Sequence, residues 1–236
     1  MAVVLVLAAF VPSLIYLAWI RNTERYSREP YSRLLRVFAF GAVFSVLIAV
    51  VFEMLLLALF DRNIERVYEV LGNDPSIPAL VLACVIAPFV EEATKGLGIS
   101  RARRFMAEVE DGIVYGAAAG LGFAATENLL YEAEAYLADG AEAFIAVAVV
   151  RSLSSALLHA GASSVVGLGI ARSARQGKSW LPYYIAGVVM HSAFNFAASF
   201  GALYYDDFGE SAYLIGLGAA FLLAIAGISF ARSKIR

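Results

Sequence analysis

The chain has 236 residues, of which 61% are hydrophobic and 16% are charged, and its formal net charge is -2. A soluble domain is typically about 45–50% apolar and about 25% charged, because its surface needs polar side chains. This composition excludes a soluble enzyme, and the absence of a basic stripe excludes a nucleic-acid-binding protein. A single cysteine, Cys84, also excludes a disulfide framework.

Apolar residues fall into seven stretches, each long enough to cross about 30 Å of hydrocarbon. In chain order the stretches are Ala2–Ile20, Leu34–Phe60, Ile77–Ile99, Gly112–Tyr131, Ala143–Ala171, Leu181–Tyr204 and Ser211–Ala231. We predict seven helices, because lipid offers no partner for unpaired backbone groups and the alternation of barrel strands is missing. The expected fold is all-α, a multi-pass helix bundle of the cell membrane in which residues 1–236 form one domain.

Basic residues mark every second connection between these stretches. Clusters of Arg and Lys follow the first, third, fifth and seventh stretches, whereas the other connections are acidic or mixed. Lys and Arg favour cytoplasmic loops. The pattern therefore predicts an outer N-terminus and a cytoplasmic C-terminus.

The third stretch has a composition that a lipid-facing helix would not tolerate. It contains Pro88, Glu91, Glu92 and Lys95. Glu91 and Lys95 are four residues apart, so we expect them to pair on one helix face. Pro88 lacks a backbone donor and is expected to bend the helix, which would open room for water beside the acid.

The depth of each polar residue within its span is informative, because an ionisable group near the bilayer centre costs roughly 2.5–3.5 kcal/mol. Counting about 1.5 Å per residue from the cytoplasmic helix ends places six polar side chains between ~12 and ~22 Å deep. These are Glu91, Glu92, Glu127, His159, His191 and Asn195. The same count puts Glu53 and Arg151 at roughly 28–30 Å, where we interpret them as interfacial anchors.

Two kinds of hydrolytic site are compatible with these six side chains. A buried glutamate can act as general base on water while imidazole and amide N–H groups stabilise an oxyanion. Two imidazoles with carboxylates are also a plausible zinc set. No His-Glu-x-x-His helix is present, so the residues alone leave zinc and metal-free chemistry open.

Four short motifs in these spans resemble those of the PrsW family of intramembrane proteases, which is related to CAAX-processing and bacteriocin-processing membrane proteases. Residues 91–95 read EEATK and are similar to the family's EExxK motif. Residues 123–131 read FAATENLLY and match FxxxEN, His159 stands where the family has a lone histidine, and residues 191–195 read HSAFN and match HxxFN. The motifs occur in the expected order.

The resemblance implies an endopeptidase that cuts peptide bonds at or within the membrane, with Glu91 as the base that activates water. In this hypothesis Glu92 and Lys95 set the charge of Glu91, and His191 with Asn195 stabilises the oxyanion.

Three of the motif residues also have a possible role in binding metal. Glu127 and His159 serve either as partners of the base or, together with His191, as zinc ligands. CAAX-processing relatives have histidine where this chain has Glu127, which argues against a CAAX-type substrate.

By analogy with the resemblance, the expected partner is a membrane-protein substrate in the lipid bilayer, such as a single-pass anti-sigma factor. Intramembrane carboxylates and histidines also build ion relays, so a proton- or ion-coupled transporter is the alternative function. A membrane scaffold is a third reading, since Gly112, Gly116, Gly120 and Ala124 form a stripe of small residues. We interpret this stripe as a face for close helix packing.

Overall fold

The computed structural model of the chain describes residues 1–25 and 28–235. Within these ranges the chain forms helices and no β-strand, which confirms the all-α prediction. The helices are α1 (Ala2–Arg21), α2 (Tyr31–Asp61), α3 (Ile64–Leu71), α4 (Ile77–Phe105), α5 (Asp111–Asp139), α6 (Ala141–Leu153), α7 (Ser155–Gln176), α8 (Leu181–Leu203), α9 (Tyr205–Phe208) and α10 (Ser211–Ser233).

Seven helical stretches in the described ranges are long and apolar enough to cross a membrane, as predicted. They are α1, α2, α4, α5, the α6–α7 pair, α8 and α10. The fourth stretch runs well past the predicted end at Tyr131, because nothing breaks the helix before Gly140, which has a φ of 84°. The fifth is interrupted at Ser154, whose φ of -120° and ψ of -71° are not helical.

Helix α5 lies at the centre of the bundle, with 78% of the residues in its most apolar segment buried. Its small residues let the backbone of α7 approach closely. A Cβ added at Gly116 would lie 2.2 Å from the carbonyl oxygen of Ser163. One added at Gly120 would lie 2.2 Å from the carbonyl oxygen of His159. The predicted packing role of the stripe is therefore confirmed, and the same contact fixes the position of His159.

Two π turns interrupt the long helices that flank α5. One spans Gly41–Ser45 in α2 and the other spans Leu82–Ile86 in α4. A π turn leaves backbone groups without regular helical partners, and such turns are frequent at functional sites. In α2 the carbonyl oxygen of Ala42 accepts a hydrogen bond from Thr126 Oγ1 of α5 at 2.7 Å. The irregularity thus ties α2 to the central helix.

The connection between α1 and α2 is held by two buried acids. The backbone N–H of Glu29 donates to the Glu24 carboxylate at 2.9 Å, and the Tyr115 hydroxyl of α5 donates to the Glu29 carboxylate. Burial raises the pKa of Glu24 to about 7, and the nearby carboxylates of Asp111 and Glu29 act in the same direction. The folded protein therefore holds the Glu24 proton to a higher pH than the unfolded chain does.

We predict that Gly116→Val destabilises the bundle. The added side chain has no room against the α7 backbone, and overpacking of this kind typically costs about 1–3 kcal/mol or more. The matched control is Gly218→Val, at an exposed glycine of α10 with nothing within 4 Å of an added Cβ. Thermal unfolding in detergent should show a lower midpoint for Gly116→Val only, and equal midpoints for the two variants would contradict the packing account.

We predict that Glu24 makes the protein less stable as the pH rises from about 4.5 to about 7. In that interval the folded chain retains a proton that the unfolded chain has released, so the free energy of unfolding falls with pH and then levels off. Glu24→Gln should reduce this slope. Denaturant titrations across the pH range measure it, with Glu69→Gln at an exposed site as control. An unchanged slope in Glu24→Gln would show that Glu24 is not the responsible group.

Candidate active site

Helix α4 carries three charged side chains into the middle of the bundle. Glu91, Glu92 and Lys95 are all buried, at 6%, 0% and 0% exposure. Lys95 Nζ lies 3.3 Å from Glu91 Oε2, so the expected ion pair at four-residue spacing is present. The ammonium is closer to Glu92 Oε1, at 2.7 Å. Lys95 therefore bridges both glutamates.

Helices α7 and α8 add the two histidines to this cluster, with ring centroids 4.8 Å apart. His159 Nδ1 lies 2.9 Å from Lys95 Nζ, and its Nε2 lies 2.9 Å from Glu127 Oε2. An ammonium can only donate, so Nδ1 of His159 accepts. The N–H of this ring is therefore on Nε2 and donates to the Glu127 carboxylate.

His191 has the opposite arrangement. Its Nδ1 lies 3.2 Å from Glu92 Oε1, a carboxylate oxygen that accepts, so the N–H of this ring is on Nδ1. Its Nε2 keeps a lone pair and lies 3.9 Å from Glu91 Oε2. His159 Nδ1 is also 3.9 Å from Glu91 Oε2. Two imidazole lone pairs and one carboxylate oxygen therefore converge.

This convergence defines a group that could hold a metal ion. The ligand atoms of Glu91, His159 and His191 lie within 4.8 Å of one another. Sequence analysis instead grouped Glu127 with the two histidines. The structure places Glu127 behind His159, where it contacts Nε2, the ring nitrogen that faces away from Glu91.

The two neighbouring glutamates have different surroundings. Both oxygens of Glu92 are engaged, since Oε1 contacts Lys95 and His191 and Oε2 accepts a hydrogen bond from Ser163 Oγ at 2.9 Å. Within the described residues the Glu91 carboxylate accepts one hydrogen bond, from Lys95, and it lines a cavity. Sequence reasoning did not assign Ser163, although it follows His159 by four residues. Glu92 is held in place by these contacts, whereas the Glu91 carboxylate is open to the cavity.

The cavity beside Glu91 has a volume of about 460 Å³ and is bounded by α2, α4, α5, α6, α7 and α8. Its polar lining residues are Glu53, Glu91, Glu127, Tyr131, Arg151, Ser155, His159, Asn195 and Ser199. Its apolar lining includes Val46, Leu130 and Phe194. All of the predicted site residues except Glu92 and His191 contribute to its wall, and His191 Nε2 lies 3.9 Å from Glu91 Oε2 in that wall.

Arg151 belongs to this site, contrary to its interpretation as an interfacial anchor. Its guanidinium lies 2.8 Å from Glu127 Oε2 and donates to Asn128 Oδ1 at 2.8 Å and to Ser155 Oγ at 3.1 Å. The depth count followed backbone positions and omitted the reach of a long side chain. The signal was available in the sequence, because Arg151, Ser155 and His159 succeed one another at four-residue spacing.

Glu53 was also interpreted as an interfacial anchor, and the structure corrects this too. Its side chain lines the active-site cavity from α2, opposite the α7 residues. Its Oε1 atom is buried and has no hydrogen-bond partner among the described residues. The cavity therefore contains a carboxylate that the surrounding protein leaves unpaired.

Asn195 reaches the cavity through the π turn of α4. The backbone N–H of Ala87 bonds to Leu82, and the next residue, Pro88, has no N–H to donate. The carbonyl oxygen of Ala83 is thus left without a helical donor and accepts from Asn195 Nδ2 at 2.7 Å. The donor that Pro88 lacks thus frees a carbonyl for Asn195 of α8, whereas the bend predicted from Pro88 stays a prediction. The amide of Asn195 retains a second hydrogen for a ligand.

Comparison with known proteins agrees with the four motifs. The family described as PrsW family intramembrane metalloprotease matches residues 29–226. Protease PrsW of Clostridioides difficile (strain 630) is 34% identical over 128 residues, which are 52% of this chain and 48% of that protein. The chain thus aligns with about half the length of this curated relative, and no solved structure matches it. Because the family match covers most of the chain, this multi-pass membrane protein belongs to the PrsW family of intramembrane metalloproteases.

Proposed function

We propose that the protein is an intramembrane endopeptidase that hydrolyses peptide bonds of membrane-protein substrates with water activated by Glu91. The observation that carries this proposal is the position of Glu91, whose carboxylate faces the cavity and two imidazole lone pairs. A transporter would not require this arrangement, and the family of the chain argues for hydrolysis.

The donor set fits a zinc ion. Two imidazole nitrogens and one carboxylate, from His159, His191 and Glu91, form the His₂Glu set of catalytic zinc sites, which keep a fourth position for water. Each imidazole also gives its other N–H to a carboxylate, from Glu127 or Glu92, and this support is typical of metal-bound histidine. Zinc in this site would supply a hydroxide-like water and polarise the substrate carbonyl.

The charges around the cluster also favour a divalent cation. In the described part of the chain, four carboxylates, from Glu53, Glu91, Glu92 and Glu127, share this region with two cationic side chains, Lys95 and Arg151. Unpaired charge is costly in a membrane interior. The Lys95 ammonium donates a hydrogen bond to the lone pair on His159 Nδ1. A metal ion would have to displace the ammonium in order to bind this nitrogen.

The chain's own residues account for the proton transfers of peptide hydrolysis. When no metal is bound, Glu91 accepts a proton from the attacking water as the water oxygen bonds to the carbonyl carbon, and it delivers that proton to the amide nitrogen as the carbon–nitrogen bond breaks. With zinc bound, Glu91 would serve as a ligand instead, and the metal would supply the hydroxide-like water. The free amide hydrogen of Asn195 can donate to the developing oxyanion. His191 has a lone pair at Nε2, so in this tautomer it cannot share the donor role that sequence analysis gave it.

We further propose an outer N-terminus and a membrane-protein substrate, for which a single-pass anti-sigma factor is one example. Arginines from the first and third connections line a common pocket at one end of the bundle, which supports the predicted orientation. The apolar walls of the active-site cavity suit a segment of a membrane-spanning chain.

We expect Glu91→Gln to lower cleavage at least about 100-fold, because a glutamine amide can neither accept the proton from water nor replace the carboxylate as a zinc ligand. Quantitative comparison of membrane-protein fragments from cells that produce wild type or variant measures this loss. Glu69→Gln, at an exposed position on α3, is the matched control and should cleave normally. If Glu91→Gln cleaved as fast as wild type, with an unchanged unfolding midpoint, Glu91 would not be the base.

We expect purified protein to contain about one zinc ion per chain, consistent with one three-residue ligand group. Elemental analysis should show that His191→Ala loses this metal, and a chelator should abolish cleavage that added zinc restores. Glu69→Gln should keep the metal. Full cleavage by metal-free protein would contradict the zinc assignment and leave a glutamate-dependent mechanism without metal.

A further inference from the structure

A second cavity, of about 190 Å³, lies away from the active site between the start of α2 and the end of α4. Four arginines line it, namely Arg33, Arg36, Arg101 and Arg104. The other lining residues are apolar or aromatic, apart from the hydroxyl of Tyr115. We refer to these four residues and the space between them as the arginine pocket.

Aromatic rings hold three of the four guanidinium groups. The guanidinium of Arg101 lies 4.4 Å from the ring centre of Phe40. Those of Arg33 and Arg104 each lie 4.6 Å from the ring centre of Phe105. Stacking on a ring engages the face of a guanidinium and leaves its N–H edges free. The pocket therefore presents several donor edges that are already positioned.

Positive charge in the pocket is largely uncompensated. Arg33 lies 3.5 Å from the Glu29 carboxylate. The other three arginines have no carboxylate partner within residues 1–25 and 28–235. A cytoplasmic end rich in arginine is ordinary in membrane proteins. Convergence of four arginines from two spans on one cavity goes beyond that, because an anion between them would offset the mutual repulsion that water and salt screen only in part.

We propose that the arginine pocket binds a phosphate group, carried by an anionic phospholipid of the adjacent leaflet or by a soluble phosphate. Planar guanidinium groups bind phosphate through two parallel hydrogen bonds, which a lysine cannot form. Basic pockets between spans on the cytoplasmic side are known to hold lipid headgroups. A phosphate here would join the ends of α2 and α4, the helices that bring Glu53 and Glu91 to the active-site cavity.

The test uses the full chain, purified in a non-ionic detergent, and does not depend on proteolysis. The thermal midpoint is measured during titration with phosphatidylglycerol, with phosphatidylcholine of the same acyl chains, and with inorganic phosphate. We expect phosphatidylglycerol or inorganic phosphate to raise the midpoint in a saturable manner. Phosphatidylcholine also carries a phosphate but has no net charge, and its effect should be much smaller.

Two double variants separate a built phosphate site from a generally basic surface. Arg36→Gln with Arg104→Gln should weaken binding by at least about tenfold, because two of the four guanidinium groups that bind phosphate are lost. Arg36→Lys with Arg104→Lys keeps the charge and the basic cytoplasmic end but should also bind several-fold more weakly. The control is Arg62→Gln with Arg66→Gln, at exposed positions outside the pocket, which should bind as wild type does.

The outcomes identify both the site and the source of the phosphate. A saturable response to phosphatidylglycerol alone assigns the pocket to lipid, and a response to inorganic phosphate alone assigns it to soluble phosphate. A response to both shows that the phosphate group itself is recognised. The proposal is overturned if neither ligand raises the midpoint, or if phosphatidylcholine acts as strongly as phosphatidylglycerol. It is also overturned if the glutamine or lysine variant binds as tightly as wild type.

Discussion

The candidate active site depends on one buried ammonium group. Lys95 is fully enclosed and contacts Glu91, Glu92 and His159, so it neutralises charge that the membrane interior would otherwise penalise. It also determines which nitrogen of His159 carries the proton. Removing Lys95 would leave Glu91 and Glu92 without their shared partner. It would also remove the donor that holds the proton of His159 on Nε2.

Helix packing determines where these charges meet. The glycine face of α5 brings α7 close enough for His159 to contact Lys95, and the π turn of α4 frees the carbonyl that holds Asn195. The carboxylates of Glu127 and Glu92 then orient the two imidazoles from behind. The site is therefore preorganised by backbone contacts and by buried hydrogen bonds, and its polar groups have few alternative partners in the membrane.

The spans were predictable, and so was the clustering of six polar side chains between them, because long apolar stretches and the cost of intramembrane charge leave strong patterns in a sequence. The rotation of each helix about its axis and the reach of its long side chains leave much weaker patterns in the sequence. A count of backbone depth therefore assigned Arg151 and Glu53 to the interface, although their side chains line the cavity. The same limit explains why Glu127, and not Glu91, was grouped with the histidines. Hydrogen-bond partners decide that question, and they appear only in three dimensions.

The central claim is that the carboxylates of Glu127 and Glu92 each accept an N–H from one histidine, so that the lone pairs of both rings face Glu91. Nitrogen-15 NMR of the imidazoles tests it directly, because His159 and His191 are the only histidines in the chain. In metal-free protein the account predicts two neutral rings, with the proton on Nε2 of His159 and on Nδ1 of His191. Two rings with the same tautomer, or rings that protonate freely like exposed histidines, would contradict it.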